Sequence, residues 1–203
     1  MIKNFIFDFG NVLLGWNEEK IVDNYTKDKE EKEKLLKVIF KSKEWFMLDE
    51  GLIDYSTAIQ IFKNKMPDSL KDKVEYIMNS WYTYMPINNQ VVELIKELKE
   101  DKYKIYALSN THIPVYEYVK NQEVGKYFDG FIISAVEKKM KPNKEIYDRL
   151  FEKFNLVPEE CFFIDDSKAN IEIGKELGMQ GYVFDNIEGL NTELKNISKS
   201  EDV

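Results

Sequence analysis

The stretch FIFDFGNVLL, residues 5–14, places a single carboxylate at the end of an apolar run. The run Asn4–Phe7 is short, continuous and rich in large apolar residues, the pattern of a parallel strand covered on both faces. Asp8 follows it directly, and Gly10 and Asn11 come next. An acid at the end of a buried strand is either a helix cap or a reactive group, so the rest of the chain must distinguish the two.

Further apolar runs of the same character predict strands at Lys104–Leu108, Phe128–Ser134, Glu160–Ile164 and Gly181–Phe184. Helical periodicity lies between and after these runs, over Gln90–Glu100, Pro114–Asn121, Lys144–Phe154, Lys168–Leu177 and Leu190–Ser198. Strands that alternate with helices favour right-handed crossovers. The predicted fold is therefore α/β, with a doubly wound, Rossmann-like parallel sheet.

One segment breaks this alternation. Between residues 15 and 86, apolar residues recur at three- and four-residue steps in the stretches EEKIVDNYTK, EKEKLLKVIFKSKEWFML, IDYSTAIQIFKNKM and LKDKVEYIMNSWYTY. We predict a small four-helix domain at residues 15–86, inserted into an α/β core domain formed by residues 1–14 and 87–203.

Composition narrows the classes of partner. The 203 residues carry a formal net charge of −8, and the lysines are mixed with glutamates, so nucleic-acid binding is not expected. No apolar run approaches the ~20 residues of a membrane span, so we expect no membrane partner. Cys161 is the single cysteine, which excludes an intrachain disulfide and fits a cytoplasmic protein. The sequence does not indicate an oligomeric state.

Polar side chains follow the predicted strands at the edge where open parallel sheets bind ligands. They are Asp8 after the first strand; Ser109, Asn110, Thr111 and His112 after the second; Lys141 after the third; and Asp165 with Asp166 after the fourth. This set suits phosphoryl transfer. Asp8 can attack phosphorus, and the oxygens of Asp8 and Asp166 suit Mg²⁺. Lys141 and the Ser109 hydroxyl would hold the phosphoryl oxygens.

Four short motifs, DFGNV, LSN, KP and IDDSKAN, stand in this order along the chain. Together they resemble the motifs of the haloacid dehalogenase-like (HAD) hydrolase superfamily, and the helical insert resembles the small helical cap of that family. DFGNVLL, LSNTH and KPNKEIY are most similar to bacterial phosphatases of hexose 1-phosphates such as α-glucose 1-phosphate. The resemblance implies a Mg²⁺-dependent phosphatase that acts on a small phosphorylated metabolite through an aspartyl phosphate.

The resemblance also implies roles for individual residues. Asp8 would be the nucleophile, and Lys141 would assist it. The implied metal ligands are Asp8, the carbonyl of Gly10, Asp166 and, directly or through water, Asp165. The implied phosphate-binding residues are Ser109, Asn110 and Lys141, and the residues expected to support these groups are Asn11 and Asn170.

The chain departs from the family pattern at Gly10, where the usual phosphatase has an aspartate that acts as acid and base. Such help is worth roughly 10²–10⁴-fold in rate. Either the enzyme prefers esters with good leaving groups, such as anomeric sugar phosphates, or another group substitutes. His112, the only histidine, is the candidate substitute, because its reference pKa of about 6.5 suits both roles.

Two alternatives to a phosphatase stay open. One is a haloacid dehalogenase, which also lacks the second acid. Resemblance to those enzymes would imply an arginine soon after the first motif, whereas the only arginine here is Arg149, after the third motif. The adjacent acids Asp165 and Asp166 would also repel an anionic substrate without a metal. The other alternative is a non-catalytic protein that binds a phosphorylated metabolite.

Overall fold

A parallel β-sheet forms the centre of the structure. The computed structural model describes the backbone of residues 1–201 and the side chains of residues 1–196. Within this part of the chain the sheet has five strands: β1 (Asn4–Phe7), β2 (Lys104–Ser109), β3 (Gly130–Ile133), β4 (Cys161–Asp165) and β5 (Gln180–Val183). They lie in the order β3-β2-β1-β4-β5, and all neighbours are parallel. The predicted α/β fold is confirmed, and each strand boundary lies within two residues of the predicted one.

The register of the sheet brings the ends of its three central strands level. Phe7, the last residue of β1, pairs with Ala107 of β2 and with Ile164 of β4. Asp8 therefore leaves the sheet beside the last residues of β2 and beside Asp165, the last residue of β4. Polar residues that are far apart in the sequence thus meet at one edge, as expected for a parallel sheet.

Residues 15–86, all of which the structure describes, contain no strand. Their five α-helices are α1 (Glu18–Val22), α2 (Lys29–Leu35), α3 (Lys43–Asp49), α4 (Tyr55–Asn64) and α5 (Asp68–Ser80). A π-helical turn at Leu36–Phe40 continues α2, and a 3₁₀ turn at Trp81–Tyr84 continues α5. We call residues 15–86 the helical insert. It has one α-helix more than the four that the periodicity predicts.

The additional helix arises because Ser42 divides the second predicted stretch in two. Its backbone is extended, with φ −91° and ψ 156°, and its hydroxyl accepts a hydrogen bond from the N–H of Trp45 at 3.2 Å. A serine in this conformation satisfies a free N–H group and begins a new helix, here α3. The apolar residues keep a helical spacing across this cap, so their pattern conceals it.

The chain leaves the sheet domain and returns to it at neighbouring points. Gly15 donates its N–H to the carbonyl of Pro86 at 2.8 Å, and Leu14 forms an antiparallel bridge with Ile87. A Cβ atom at position 15 would lie 2.8 Å from the Cγ atom of Pro86, so the close approach requires glycine here. The two connections between the sheet and the helical insert therefore run side by side.

The remaining helices cover the sheet. They are α6 (Asn89–Glu100), α7 (Ile113–Asn121), α8 (Ser134–Glu137), α9 (Lys144–Phe154), α10 (Lys168–Glu176) and α11 (Ile187–Glu201). Short 3₁₀ turns occupy Glu123–Tyr127 and Pro158–Glu160. Helix α8 has four residues, too few for a periodic pattern to predict it. Residues 202–203, which belong to the predicted core domain, lie outside the described residues. None of the helices in residues 1–201 is both long and apolar enough to cross a membrane.

Candidate active site

Asp8 lies where β1 ends, at the centre of the sheet edge. Its N–H donates to the carbonyl of Ile164 at 3.0 Å, so the hydrogen bonding of the sheet extends to this residue. Its side chain is buried, and Oδ1 accepts a hydrogen bond from the N–H of Phe9 at 2.6 Å. The carboxylate is therefore held in a defined orientation, which a reactive group needs.

Lys141 lies between two carboxylates beneath this edge. Its Nζ atom is 3.1 Å from Oδ1 of Asp8 and 2.6 Å from Oδ2 of Asp165, and it donates to the carbonyl of Leu108 at 2.8 Å. The lysine side chain is 1% exposed. A buried ammonium in this position requires its anionic partners, so the three side chains form one charged unit.

Burial and charge act in opposite directions on this unit. Burial raises the pKa of Asp8 to about 6, against the lowering effect of Lys141. Burial alone would lower the pKa of Lys141, but Asp8 and Asp165 outweigh it and raise that pKa above its usual value. Lys141 is therefore cationic, and additional positive charge near Asp8 would favour its ionised form.

Asp165 is fully buried and has a protein partner for each oxygen. Its Oδ1 accepts a hydrogen bond from the N–H of Ser167 at 2.8 Å, and the amide of Asn170 lies 3.0 Å and 3.1 Å from the two oxygens. Together with the Lys141 contact, these bonds hold Asp165 firmly. The arrangement suits a residue that orients Lys141.

Asp166, in contrast, is exposed and has one side-chain partner. Its Oδ2 accepts a hydrogen bond from the Asn11 amide at 2.8 Å. Asn11 has a left-handed backbone, with φ 53°, which asparagine tolerates better than most residues. The side-chain oxygen Oδ1 of Asn11 accepts a hydrogen bond from the N–H of Trp16 at 3.2 Å, so Asn11 connects Asp166 to the start of the helical insert.

The three aspartates form a donor set that fits Mg²⁺. Asp8, Asp165 and Asp166 each offer a carboxylate oxygen, and these oxygens all lie within 4.8 Å of one another. Lys141 supplies one positive charge against three negative ones. Hard oxygen donors with an excess of negative charge are what Mg²⁺ selects in proteins. The residues present therefore suit this ion.

Gly10 begins the loop that follows Asp8, and neither its backbone nor its surroundings demand glycine. A Cβ atom at this position would meet no heavy atom within 4 Å. The positive φ values of the glycines occur at Gly51 and Gly178, not at Gly10. The fold therefore has room for a larger side chain at position 10.

Ser109 and Asn110 lie at the end of β2 and use their side chains differently. Ser109 lines the cavity together with Asp8, and the interaction of its hydroxyl with the Asp8 carboxyl lowers the pKa of that carboxyl. The side-chain Oδ1 of Asn110 accepts a hydrogen bond from the backbone N–H of Lys141 at 2.9 Å, and its Nδ2 donates to the backbone carbonyl of Lys141 at 2.8 Å. The side chain of Asn110 is thus occupied in fixing the backbone of Lys141.

A cavity of about 500 Å³ opens above this edge, between the sheet domain and the helical insert. Among its lining residues are seven of the predicted site: Asp8, Gly10, Asn11, Ser109, Asn110, His112 and Asp166. Three others lie behind that lining: Lys141, Asp165 and Asn170. The insert contributes mainly aromatic side chains to the wall, including Trp16, Phe40, Trp45 and Trp81.

The insert also contributes a charged residue, Asp49, that sequence reasoning missed. Its Oδ1 atom lies 2.7 Å from Nδ1 of His112, which precedes α7 in the sheet domain. His112 is buried, and both residues line the cavity. Asp49 ends an amphipathic helix 63 positions before His112, and no local pattern signals a contact across that distance.

The chain is similar to known hydrolases. A model of the haloacid dehalogenase-like hydrolase family matches residues 2–178. A D-ribitol-5-phosphate phosphatase of Bacteroides thetaiotaomicron is 26% identical over 211 residues, which cover 98% of this chain and 100% of that protein. A flavin mononucleotide hydrolase of Arabidopsis thaliana is 27% identical over 154 residues, which cover 75% of this chain and 61% of that protein.

A solved structure shows the same fold. It is a HAD family enzyme of Bacteroides thetaiotaomicron in complex with magnesium and inorganic phosphate, and its TM-score with this chain is 0.72. The two are 28% identical, and the match covers 94% of this chain and 99% of that one.

Proposed function

Because this chain belongs to the haloacid dehalogenase-like hydrolase family, we propose that it is a phosphatase that acts on a small phosphorylated metabolite through a phosphoenzyme on Asp8. The carrying observation is the fixed, buried carboxylate of Asp8, with Phe9 N–H at 2.6 Å and Lys141 at 3.1 Å. The similarity to a D-ribitol-5-phosphate phosphatase and to a flavin mononucleotide hydrolase supports this reaction class for the chain.

In the first step, an oxygen of Asp8 attacks phosphorus, and the bond between phosphorus and the ester oxygen breaks. The leaving oxygen takes a proton from water, because Gly10 offers none. In the second step, water attacks the aspartyl phosphate, which releases inorganic phosphate and restores the Asp8 carboxylate. The water gives up its proton to solvent, so the two steps together consume one water molecule for each ester.

A divalent cation would separate Asp8 from the phosphate dianion. We propose that Asp8, Asp166 and the Gly10 carbonyl hold Mg²⁺, with Asp165 contributing directly or through water. Mg²⁺ supplies charge neutralisation and orients the phosphate when it is bound. Asn11 would orient Asp166, since its amide lies 2.8 Å from Oδ2, and Asn170 would do the same for Asp165.

Lys141 and the end of β2 would complete the phosphate site. Lys141 balances the carboxylate charges and would stabilise the charge that moves between Asp8 and the phosphoryl group. The Ser109 hydroxyl, next to Asp8, would bind a phosphoryl oxygen. The side chain of Asn110 is hydrogen-bonded to the backbone of Lys141. We therefore propose that Asn110 contributes to phosphate binding through its position at the strand end.

We propose that residues 15–86 form a cap domain that closes over the phosphate site and selects the alcohol part of the substrate. Its aromatic residues line the cavity beside Asp8. A site without an acid at position 10 favours esters with good leaving groups. Hexose 1-phosphates, whose anomeric oxygen leaves readily, are therefore our first expected substrates.

The observed contacts of Arg149 do not favour a dehalogenase. Arg149 lies on α9, and its guanidinium donates a hydrogen bond to Oε2 of Glu137 at 2.8 Å. It does not belong to the lining of the cavity that contains Asp8. A cation placed to hold a substrate carboxylate would need to lie in that lining.

The test is a panel of phosphate monoesters that includes hexose 1-phosphates, hexose 6-phosphates, D-ribitol 5-phosphate, flavin mononucleotide and p-nitrophenyl phosphate. Phosphate release is measured with Mg²⁺ and with EDTA, for the natural protein and for Asp8→Asn. We expect release that needs both Mg²⁺ and Asp8. Asp68→Asn, which changes an exposed carboxylate on α5, is the matched control.

Four outcomes would contradict the proposal. Full turnover in Asp8→Asn would exclude the nucleophile, and full turnover in EDTA would exclude the metal requirement. A protein that binds Mg²⁺ but hydrolyses no ester in the panel would support a non-catalytic binding function. Chloride release from 2-chloropropionate would indicate a dehalogenase.

A further inference from the structure

The contact between Asp49 and His112 joins the helical insert to the sheet domain next to the cavity. Asp49 ends α3, and its carbonyl accepts a hydrogen bond from the hydroxyl of Ser134 at the start of α8. Its Oδ1 lies 2.7 Å from Nδ1 of His112. Because a carboxylate accepts hydrogen bonds, the imidazole proton at this contact lies on Nδ1. His112 thus donates to Asp49.

The imidazole is fixed by aromatic rings on several sides. Its ring centre lies 4.7 Å from that of Trp45, 5.2 Å from that of Trp81 and 5.7 Å from that of Tyr55. Its Nε2 atom is buried and has no hydrogen-bond partner among the described residues. The polar contact of the His112 side chain is therefore the one to Asp49. A buried Nε2 is poorly placed to transfer a proton at the leaving oxygen.

The second oxygen of Asp49 is free to bind a ligand. Within residues 1–196, no side chain or backbone group is hydrogen-bonded to Oδ2 of Asp49, whereas Oδ1 is held by His112. The Asp49 side chain is 15% exposed and lines the cavity. A carboxylate fixed at a cavity wall, with one oxygen unused, is an acceptor for a hydroxyl group.

We infer that Asp49 binds a hydroxyl group of the alcohol part of the substrate through Oδ2, with His112 as the positioning residue. The substrate class is then the phosphate monoester of an uncharged polyhydroxy alcohol, such as a polyol or a sugar. The inference rests on the proposed phosphatase function and adds a specificity-determining residue to it. Trp45 and Trp81, at the same wall, offer ring surfaces to the carbon chain of such an alcohol.

Charge in the cavity supports an uncharged alcohol. Asp49 adds a carboxylate to a cavity that also contains Asp8 and Asp166. Lys41, at the wall, lies 3.8 Å from the Glu18 carboxylate, which offsets its charge. A substrate with a second anionic group would meet repulsion from Asp49.

The experiment compares three esters with a five-carbon alcohol part: D-ribitol 5-phosphate, n-pentyl phosphate, which lacks the hydroxyl groups, and 5-phosphoribonate, which adds a carboxylate. Values of kcat/KM are measured with Mg²⁺ for the natural protein and for Asp49→Ala and Asp49→Asn. Glu50→Ala is the matched control, because Glu50 is the next residue and lies outside the cavity lining.

We expect the natural protein to prefer the ribitol ester to both others. Asp49→Ala should lower the ratio of kcat/KM for the ribitol ester to kcat/KM for the pentyl ester about tenfold, because one hydrogen bond to a charged acceptor is lost. Asp49→Asn should raise the relative rate for 5-phosphoribonate, since it removes the charge and keeps the shape. Glu50→Ala should leave both ratios as they are.

The inference is wrong if the natural protein does not prefer the ribitol ester, or if Asp49→Ala lowers both rates equally. Phosphoethanolamine is measured as a fourth ester, and the inference is also wrong if its kcat/KM exceeds that of the ribitol ester, because Asp49 would then bind an ammonium group. If no ester of any kind is hydrolysed, the proposed phosphatase function fails, and the inference fails with it. Hydrolysis of p-nitrophenyl phosphate without selectivity among the three esters rejects the inference alone.

The positioning role of His112 has its own test. His112→Phe removes the donor to Asp49 and should raise KM for the ribitol ester about tenfold, with a smaller effect on kcat. His112→Asn places an amide N–H near the position of Nδ1 and should recover most of the selectivity. Equal loss in both variants would reject this role, and circular dichroism and the melting temperature show whether each variant folds.

Discussion

The ammonium of Lys141 lies 3.1 Å from Oδ1 of Asp8, although 133 positions separate the two residues in the chain. The same nitrogen lies 2.6 Å from Oδ2 of Asp165. The parallel register of β1 and β4 places Asp8 beside Asp165, so one ammonium can reach both carboxylates. The predicted nucleophile and the predicted cation therefore form a buried ion pair at the edge of the sheet.

Lys141→Met should destabilise the protein strongly. The substitution keeps the length of the side chain but leaves Asp8 and Asp165 buried without their cation. Removing one partner of a buried ion pair costs about 3–5 kcal/mol in free energy of unfolding. Urea denaturation in EDTA measures this cost without a contribution from metal binding.

Lys126→Met is the control for that measurement. Lys126 pairs with Glu123 at 2.6 Å on the surface, where its side chain is 71% exposed. Because water screens such an exposed pair, its loss should leave the free energy of unfolding almost unchanged. Equal effects of the two substitutions would show that Lys141 is not held in a buried charged unit.

Mg²⁺ should raise the melting temperature through Asp166. At a concentration ten times its Kd, a ligand that binds only the folded state adds about 1.4 kcal/mol, which corresponds to about 3–6 °C for a domain of this size. Asp166→Asn removes an exposed carboxylate of the acidic cluster and should remove most of this shift. Glu93→Gln, on α6, should keep it. A full shift in Asp166→Asn would exclude that residue as a ligand.

Cys161 should be inert in the folded protein. It begins β4 and is fully buried, and burial raises the pKa of its thiol to about 12. At pH 8 roughly one thiol in 10⁴ is then ionised, and the thiolate is the reactive form. Ellman's reagent should therefore react slowly with the native protein and rapidly in guanidinium chloride. Rapid reaction under native conditions would contradict the buried position of the thiol.

Much of the fold could be predicted from local pattern. The run Asn4–Phe7 has the same bounds in the structure as in the prediction, because a short apolar run before an acid has no competing helical period. The cap at Ser42 was missed, since a helical apolar spacing continues across it. Local patterns also do not determine the order of strands in the sheet, which depends on pairings between distant residues.

Within the site, the sequence indicated which residues gather but not how each is used. Strand ends predicted that Asp8, Lys141 and Asp165 would meet. The contacts that distinguish the buried Asp165 from the exposed Asp166 depend on tertiary packing, and so does the use of the Asn110 side chain by the Lys141 backbone. The contact of Asp49 with His112 joins the helical insert to a residue 63 positions further along the chain and has no counterpart in periodicity.

Gly10→Asp should increase the hydrolysis of esters with poor leaving groups. A Cβ atom at position 10 meets nothing within 4 Å, so the fold can accept the side chain. An acid beside the leaving oxygen contributes roughly 10²–10⁴-fold when it is well placed, and we expect the lower part of that range for an introduced group. The gain should be large for alkyl phosphates and small for p-nitrophenyl phosphate, whose leaving group needs no proton.

The measurement is the slope of log kcat/KM against the pKa of the leaving alcohol, for the natural protein, Gly10→Asp and Gly10→Ala. The natural protein should show a steep negative slope, because its leaving groups depart without an acid from position 10. Gly10→Asp should flatten this slope, whereas Gly10→Ala should keep it steep, since alanine changes the backbone freedom but adds no carboxyl group. A flat slope in the natural protein, with chemistry shown to be rate-limiting, would mean that another residue already supplies the proton.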